Sequence, residues 1–271
     1  MLRSRVADRT AGWTVAVLAA VFGIFFLVPL GGLVLRAVSD GRTWELMRSE
    51  AVRTALTLSL TTATLSTLLA VLFGTPVAYL LARGKGRRSA ILDALVDLPL
   101  VLPPTVAGVA LLTAFGRRGL LGEPLSEWFG LELTFTTAAV VLAQLIVAAP
   151  FYVRAAASGF ASVDAQYERV AWTLGASRVE AFFRITVPQA RPAMLAGIVL
   201  CWTRALGELG ATLIFAGNLQ GATRTMPLAV LDALERSSLG LSGALSLSLI
   251  LLGVALAVLI GVRLVAPGRR P

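Results

Sequence analysis

Long apolar runs, broken by short charged stretches, set the pattern of this chain. A helix needs roughly 20 mostly apolar residues to cross a bilayer. By that measure six segments qualify: Gly12–Leu35, Thr54–Leu81, Ile91–Phe115, Phe135–Val153, Ala193–Ala216 and Leu241–Val265. The pattern predicts an all-α, polytopic membrane protein with about six transmembrane helices. The first run is too long for a cleavable leader and is read as a retained helix. Pro29 marks a kink in it, and Pro76 a bend near the end of the second. The second run is rich in Thr and Ser, whose hydroxyls bond back to a helix or across to a neighbour. The third is interrupted by Pro99, Pro103 and Pro104. An interfacial helix to about Asp97, a break, and then the span proper are expected there, because freed backbone groups survive at membrane depth only where protein or water satisfies them. Residues 116–134 read as a polar loop, with Trp128 and Phe129 as interface anchors.

Composition agrees with this picture. Of the 271 residues 57% are hydrophobic and only 14% charged, and the mean hydropathy is +0.82. The net charge of +9 would suit nucleic acid in another context. Here the cations sit in short loops between apolar runs, so no nucleic-acid partner is expected and membrane lipid is. Arg83, Lys85, Arg87 and Arg88 form the clearest cytoplasmic marker. With six spans and a cytoplasmic N-terminus, the cytoplasmic side holds fifteen Lys and Arg and the outside eight, with Arg204 inside a span. Both termini are therefore expected in the cytoplasm. The chain has no histidine, and its single cysteine, Cys201, lies in an apolar run. Histidine acid–base chemistry, histidine metal sites and internal disulfides are excluded. No cofactor or metal is expected on the chain.

The stretch from Arg154 to Pro192 is the most informative loop. Asp164 reads as an N-cap for a helix over Ala165–Leu174, with Gly175 as the residue past its end. Ser177-Arg178-Val179-Glu180 has the form of a capping box opening a second helix, which Pro188 ends.

These residues resemble the permeases of ATP-binding cassette importers, which carry a cytoplasmic signature Glu-Ala-Ala-x3-Gly-x9-Ile-x-Leu-Pro. Ala171, Gly175, Ile185 and Pro188 fall in register with it. Arg169 and Val170 occupy its first two positions, Glu168 stands one place early, and Val187 replaces the Leu. The resemblance implies a single permease domain over residues 1–271 with the type I importer fold, and a coupling loop at 161–192. Glu168, Ala171, Gly175, Ala176, Ile185 and Pro188 would engage a separate ATPase. The chain lacks a Gly-x4-Gly-Lys-Ser/Thr phosphate loop. ATP and Mg are thus left to that partner, and the chain itself is not an enzyme. A second permease subunit in a homodimer, two ATPases and an extracytoplasmic oxyanion-binding protein complete the implied assembly, in a prokaryotic cell membrane.

A second block, Arg204-Ala205-Leu206-Gly207-Glu208-Leu209-Gly210-Ala211-Thr212 with Thr225-Met226-Pro227, resembles the molybdate and sulfate branch. Leu98–Pro104 and Phe115–Gly119 are similar to the same branch. Molybdate is the expected cargo, with sulfate or tungstate as alternatives. Arg204 and Glu208, four apart, would share a helix face and pair. They either line the anion's path or lock helices together. Thr105 and Thr212 are further path candidates, or simple packing residues. An ion-driven transporter would show more spans and an internal repeat. An intramembrane enzyme would need a catalytic cluster. Neither feature is present in the sequence.

Overall fold

The computed structural model describes residues 2–41, 43–235 and 240–265, with side chains described from Trp13 to Gly261 outside the gaps. Every regular element among them is helical. In chain order these are α1 (Leu2–Ser39), α2 (Thr43–Met47), α3 (Glu50–Arg83), α4 (Arg87–Val101), α5 (Pro104–Phe115), α6 (Gly122–Phe129), α7 (Thr137–Ser162) and α8 (Ala165–Thr173). Then come α9 (Arg178–Ala181), a π-helical turn (Phe182–Thr186), α10 (Val187–Leu206), α11 (Gly210–Phe215), α12 (Met226–Glu235) and α13 (Gly240–Val265). Among the described residues, five continuous helical stretches are long and apolar enough to cross a membrane: Trp13–Ser39, Glu50–Arg83, Thr137–Ser162, Arg178–Leu206 and Gly240–Gly261. The bent pair α4–α5, turned by 114°, brings the count to six if it is one span.

Helix α7 is the axis of the bundle. Ser66 Oγ of α3 donates to Val141 O (3.0 Å) and Thr75 pairs with Tyr152 Oη (2.6 Å). Further along, Arg83 Nη1 donates to Val163 O (2.9 Å). These contacts advance together along both helices, so α3 and α7 run parallel. Helix α10 runs against them. A Cβ at Gly159 would come 2.6 Å from Ala193 Cβ, and one at Gly197 would come 2.8 Å from Ala155 Cβ. Such glycines let helix backbones approach where lipid supplies no hydrophobic drive. Outside the axis, Thr43 of α2 bonds both Ala37 O at the end of α1 and Ser246 of α13.

The contacts fix the number of crossings. The C-terminal ends of α3 and α7 meet at Arg83 and Val163. Helix α7, at 1.5 Å per residue, is about 39 Å long, so it starts at the opposite end of the bundle. The α4–α6 stretch must therefore make one net passage between the two ends, and the bent pair counts as the sixth span. By the same bookkeeping α1 begins, and α13 finishes, at the end where the Arg154–Pro192 region turns.

Several expected boundaries move. Helix α1 passes through Pro29, and α3 through Pro76, without interruption. The break in the third segment falls at Leu102–Pro103, not at Asp97: Pro99 is inside α4, and Pro104 starts α5 at a position where its missing N–H is harmless. The loop at 116–134 contains the helix α6. Phe135, at φ 60°, precedes the Thr136 cap, and α7 then continues nine residues past Val153, so Arg154 is helical and not in a loop. Pro188 does not end a helix. The π turn before it widens the spiral, Val187 N–H bonds Phe182 O, and the helix continues to Leu206. The fifth segment is in turn broken at Gly207–Leu209, giving α10 and α11. The last span matches its expected range to one residue at its start.

The short helices α5 and α11 pack in parallel. A Cβ at Gly108 would lie 2.9 Å from Ala211 Cα, and one at Gly210 would lie 3.1 Å from Pro104 Cβ. Gly108→Val should therefore wedge the two apart and destabilise the purified protein by about 1–3 kcal/mol, the usual cost of overpacking. Gly253→Val, at a site with nothing within 4 Å, should leave thermal melting in detergent unchanged. Equal melting of the two variants would refute the close approach.

Candidate functional site

The hairpin forms as its residues dictate. Asp164 Oδ1 accepts from Gln166 N–H (2.8 Å) and Ser177 Oγ from Glu180 N–H (3.1 Å). Helix α8 ends in a Schellman motif: Ala176 N–H bonds Ala171 O (3.0 Å) and Gly175 N–H bonds Trp172 O (3.0 Å). Gly175 sits at φ +92°, which a side chain rarely adopts. So Ala171, Gly175 and Ala176 are the three points of one turn, and the signature spacing is the spacing of that turn. Arg178 stacks over the Trp172 ring at 5.6 Å, tying the second helix to the first. Ile185 is half-buried in the π turn, and Pro188 is exposed.

Glu168 joins this hairpin to the bundle. It is 3% exposed. Its Oε1 accepts from Arg83 Nη2 (2.9 Å) and from Thr186 Oγ1 (2.5 Å), and its Oε2 from Tyr79 Oη (2.9 Å). Tyr79 is wedged between Phe160 and Phe182. One carboxylate thus unites α3, α8 and the helix leading into α10, while Arg83 also holds the α7–α8 corner. Burial pushes the Glu168 carboxyl up, but the hydrogen bonds from Thr186, Arg83 and Tyr79 and the charge of Arg83 outweigh it and set it below its ordinary value. The exposed side of the hairpin carries Tyr167, Val170, Leu174, Val179 and Phe183, with Leu174 82% exposed. Arg169, Arg178 and Arg184 are exposed on the same hairpin, so its outer surface mixes apolar and basic side chains.

The second set of residues gathers where two broken helices meet. Glu208 is 1% exposed and lies in the Gly207–Leu209 break, not on a continuous helix face shared with Arg204. The pair still forms: Arg204 Nη1 is 2.8 Å from Glu208 Oε2. The other oxygen, Oε1, accepts from Ala211 N–H (2.9 Å) at the start of α11. Glu208 therefore splices the end of α10 to the start of α11. Thr212 is fully buried in α11, and its hydroxyl has no hydrogen-bond partner among the described residues. Thr105 is exposed in the first turn of α5, its N–H 3.3 Å from where a Gly210 Cβ would stand. All four path candidates belong to this junction.

A third ion cluster escaped the sequence reading. Arg154 of α7 clamps two carboxylates of α4: Nη1 reaches Asp93 Oδ1 at 2.5 Å and Nε donates to Asp97 Oδ1 at 2.6 Å. Like charges four apart on a helix repel, so the Asp93–Asp97 spacing was the available signal that a cation must stand nearby.

The chain's residues 70–271 match the family described as binding-protein-dependent transport system inner membrane component. This chain belongs to that family. It is 46% identical over 246 residues to the molybdenum transport system permease protein ModB of Mycobacterium tuberculosis, covering 90% of this chain and 91% of that one. The Escherichia coli K12 protein of the same name is 42% identical over 202 residues, 74% of this chain and 88% of its own. A probable molybdenum ABC transporter permease protein of Haloferax volcanii is 40% identical over 93% of this chain and 89% of its own. Among solved structures, a bacterial ABC transporter involved in the import of the acidic polysaccharide alginate superposes with a TM-score of 0.74, covering 96% of each chain at 16% identity. The MetNI methionine ABC transporter gives 0.60 over 80% of this chain and 97% of that one, at 15% identity. At those identities the likeness concerns the fold alone.

A group with a depressed pKa stabilises the folded state fully above its unfolded value and loses that contribution as pH falls through the folded one. For Glu168 the window lies below about pH 4.5, the ordinary glutamate value. The melting temperature of the wild type should drop between pH 5 and pH 3 by more than that of Glu168→Gln. Parallel pH profiles would mean that Glu168 is not bound as a carboxylate.

Proposed function

We propose that this chain is the transmembrane subunit of an ATP-driven importer of molybdate. The observation that carries the reading is the buried anchoring of the hairpin through Glu168, on a chain 46% identical to a molybdenum permease over nine-tenths of its length. A hairpin locked to the ends of three helices is suited to receive force. An exposed patch centred on Leu174 and Phe183 is suited to a cleft on a cytoplasmic ATPase. Two copies of the chain, two ATPases and an extracytoplasmic binding protein form the working assembly. The ATPases bind and hydrolyse ATP with Mg; this chain binds neither. The hairpin end of the bundle faces the cytoplasm, and with it the start of α1 and the end of α13, as the excess of Lys and Arg on that side favours.

Within the membrane, the Arg204–Glu208 pair serves the junction of α10 and α11. Its two charges nearly cancel, which suits a passage that must release an oxyanion as readily as it admits one. Removing Arg204 leaves Glu208 charged and buried, a loss of about 3–5 kcal/mol.

Cells lacking only this gene should lose uptake of isotope-labelled molybdate, and excess sulfate should compete poorly in the wild type. The gene restored with Arg204→Ala should not recover uptake, whereas the wild-type copy should. Full molybdate uptake without the gene, or sulfate competing at equal concentration, would overturn the molybdate assignment.

A further inference from the structure

At the end of the bundle opposite the hairpin, a cleft of about 630 Å³ opens beside the start of α3. Arg48, Glu50, Arg53, Thr54, Thr57 and Thr61 line it, with Leu58 among them and Gly221 from the connection after α11. Arg48, Glu50 and Arg53 are all exposed, and no ion pair engages either arginine among the described residues. The cleft therefore carries one excess positive charge and two guanidinium groups free to bind.

The wall below these arginines is unusual for a membrane helix. Residues 53, 54, 57, 61 and 64 fall on one face of α3 by helical spacing, and they are Arg, Thr, Thr, Thr and Thr. The same face continues as Leu65, Leu68 and Leu72, each about half exposed or more. It is hydroxyl-bearing from Thr54 to Thr64 and then apolar over Leu65, Leu68, Val71 and Leu72, with Thr75 beyond them bonded to Val71 O and Tyr152. The change comes at Thr64, whose Oγ1 accepts from Trp202 Nε1 (3.1 Å), two residues before Arg204. Exposed faces of α1, by contrast, carry Phe22, Phe25 and Leu27 throughout. A lipid-facing surface has no need of four threonines in line. A water-filled vestibule does, and it should end where the leucines begin.

We propose that Arg48, Arg53 and the threonine face of α3 form a hydrated collecting site for a divalent tetrahedral oxyanion at the mouth of the transport path. Guanidinium groups present paired donors that match the edge of such an anion. Thr61 Oγ1 donates back to Thr57 O (2.8 Å), so the wall is wetted without gripping the anion, and Glu50 limits the attraction. The site receives the anion that the binding protein releases and lets it go. The inference takes the oxyanion class from the function proposed above, but not the choice of molybdate.

The test is a charge-selective labelling of the full transporter complex in membranes, with Cys201→Ala and Thr57→Cys. The reaction rates of a sulfonate-bearing and a trimethylammonium-bearing thiosulfonate are compared as a ratio. Arg48→Gln with Arg53→Gln should shift that ratio against the anionic reagent by roughly fivefold at low salt, given screened charges within a Debye length. Glu50→Gln should shift it the other way, and this milder change keeps the test decisive if the double variant does not assemble. Millimolar molybdate or sulfate should slow the anionic reagent in the parent. If sulfate protects and molybdate does not, the collecting site stands and the molybdate assignment falls. A ratio unmoved by the substitutions, or no protection by either anion, overturns the inference.

Discussion

The structure depends first on one buried carboxylate. Glu168 lies in a helix outside the spans, yet all three of its bonds go to residues in or leading into the spans: Arg83, Tyr79 and Thr186. A buried charge costs several kcal/mol unless it is paired and hydrogen-bonded, so this contact holds only in one geometry. That geometry fixes the hairpin against α3 and against the helix running on to Leu206. Helix α3 is 34 residues long, about 51 Å by its rise per residue. Its far end carries Arg53 and the threonine-lined cleft. A push on the hairpin by the proposed ATPase is thus delivered at one end of a rod whose other end shapes the opposite mouth.

A second constraint is the satisfaction of backbone groups inside the bundle. Two spans break, at Leu102–Pro103 and at Gly207–Leu209. Breaks at membrane depth survive only when protein satisfies the freed groups, and here the two broken ends pack together while Glu208 satisfies its own. Gly108 and Gly210 bring α5 and α11 into backbone contact, and Glu208 caps α11 while holding Arg204.

Most of the spans were legible because bilayer thickness writes itself into the length of apolar runs. The hairpin caps were legible too, since Asp164, Gly175 and Ser177 act on neighbours within five residues. What escaped was set by distant partners. Glu168 stands one place off the family pattern, and its meaning lies in Arg83 and Tyr79, which no local rule connects to it. Pro188 reads as a stop because a proline usually is one. The π turn at Phe182–Thr186 that accommodates it has no sequence mark as plain. The break at Gly207–Leu209 hides inside an unbroken apolar run, and only the charge of Glu208 hints at it. The Arg154 clamp has no mark in the apolar run, which ends at Val153, whereas α7 extends to Ser162.

On the proposed function, the Glu168 contact transmits force rather than merely stabilising the hairpin. The direct measurement is the number of ATP molecules hydrolysed per molybdate ion delivered, in reconstituted complex carrying Glu168→Gln. We expect the complex to assemble and hydrolyse ATP while delivering about tenfold fewer ions per ATP. An unchanged ratio in an assembled complex would contradict the account.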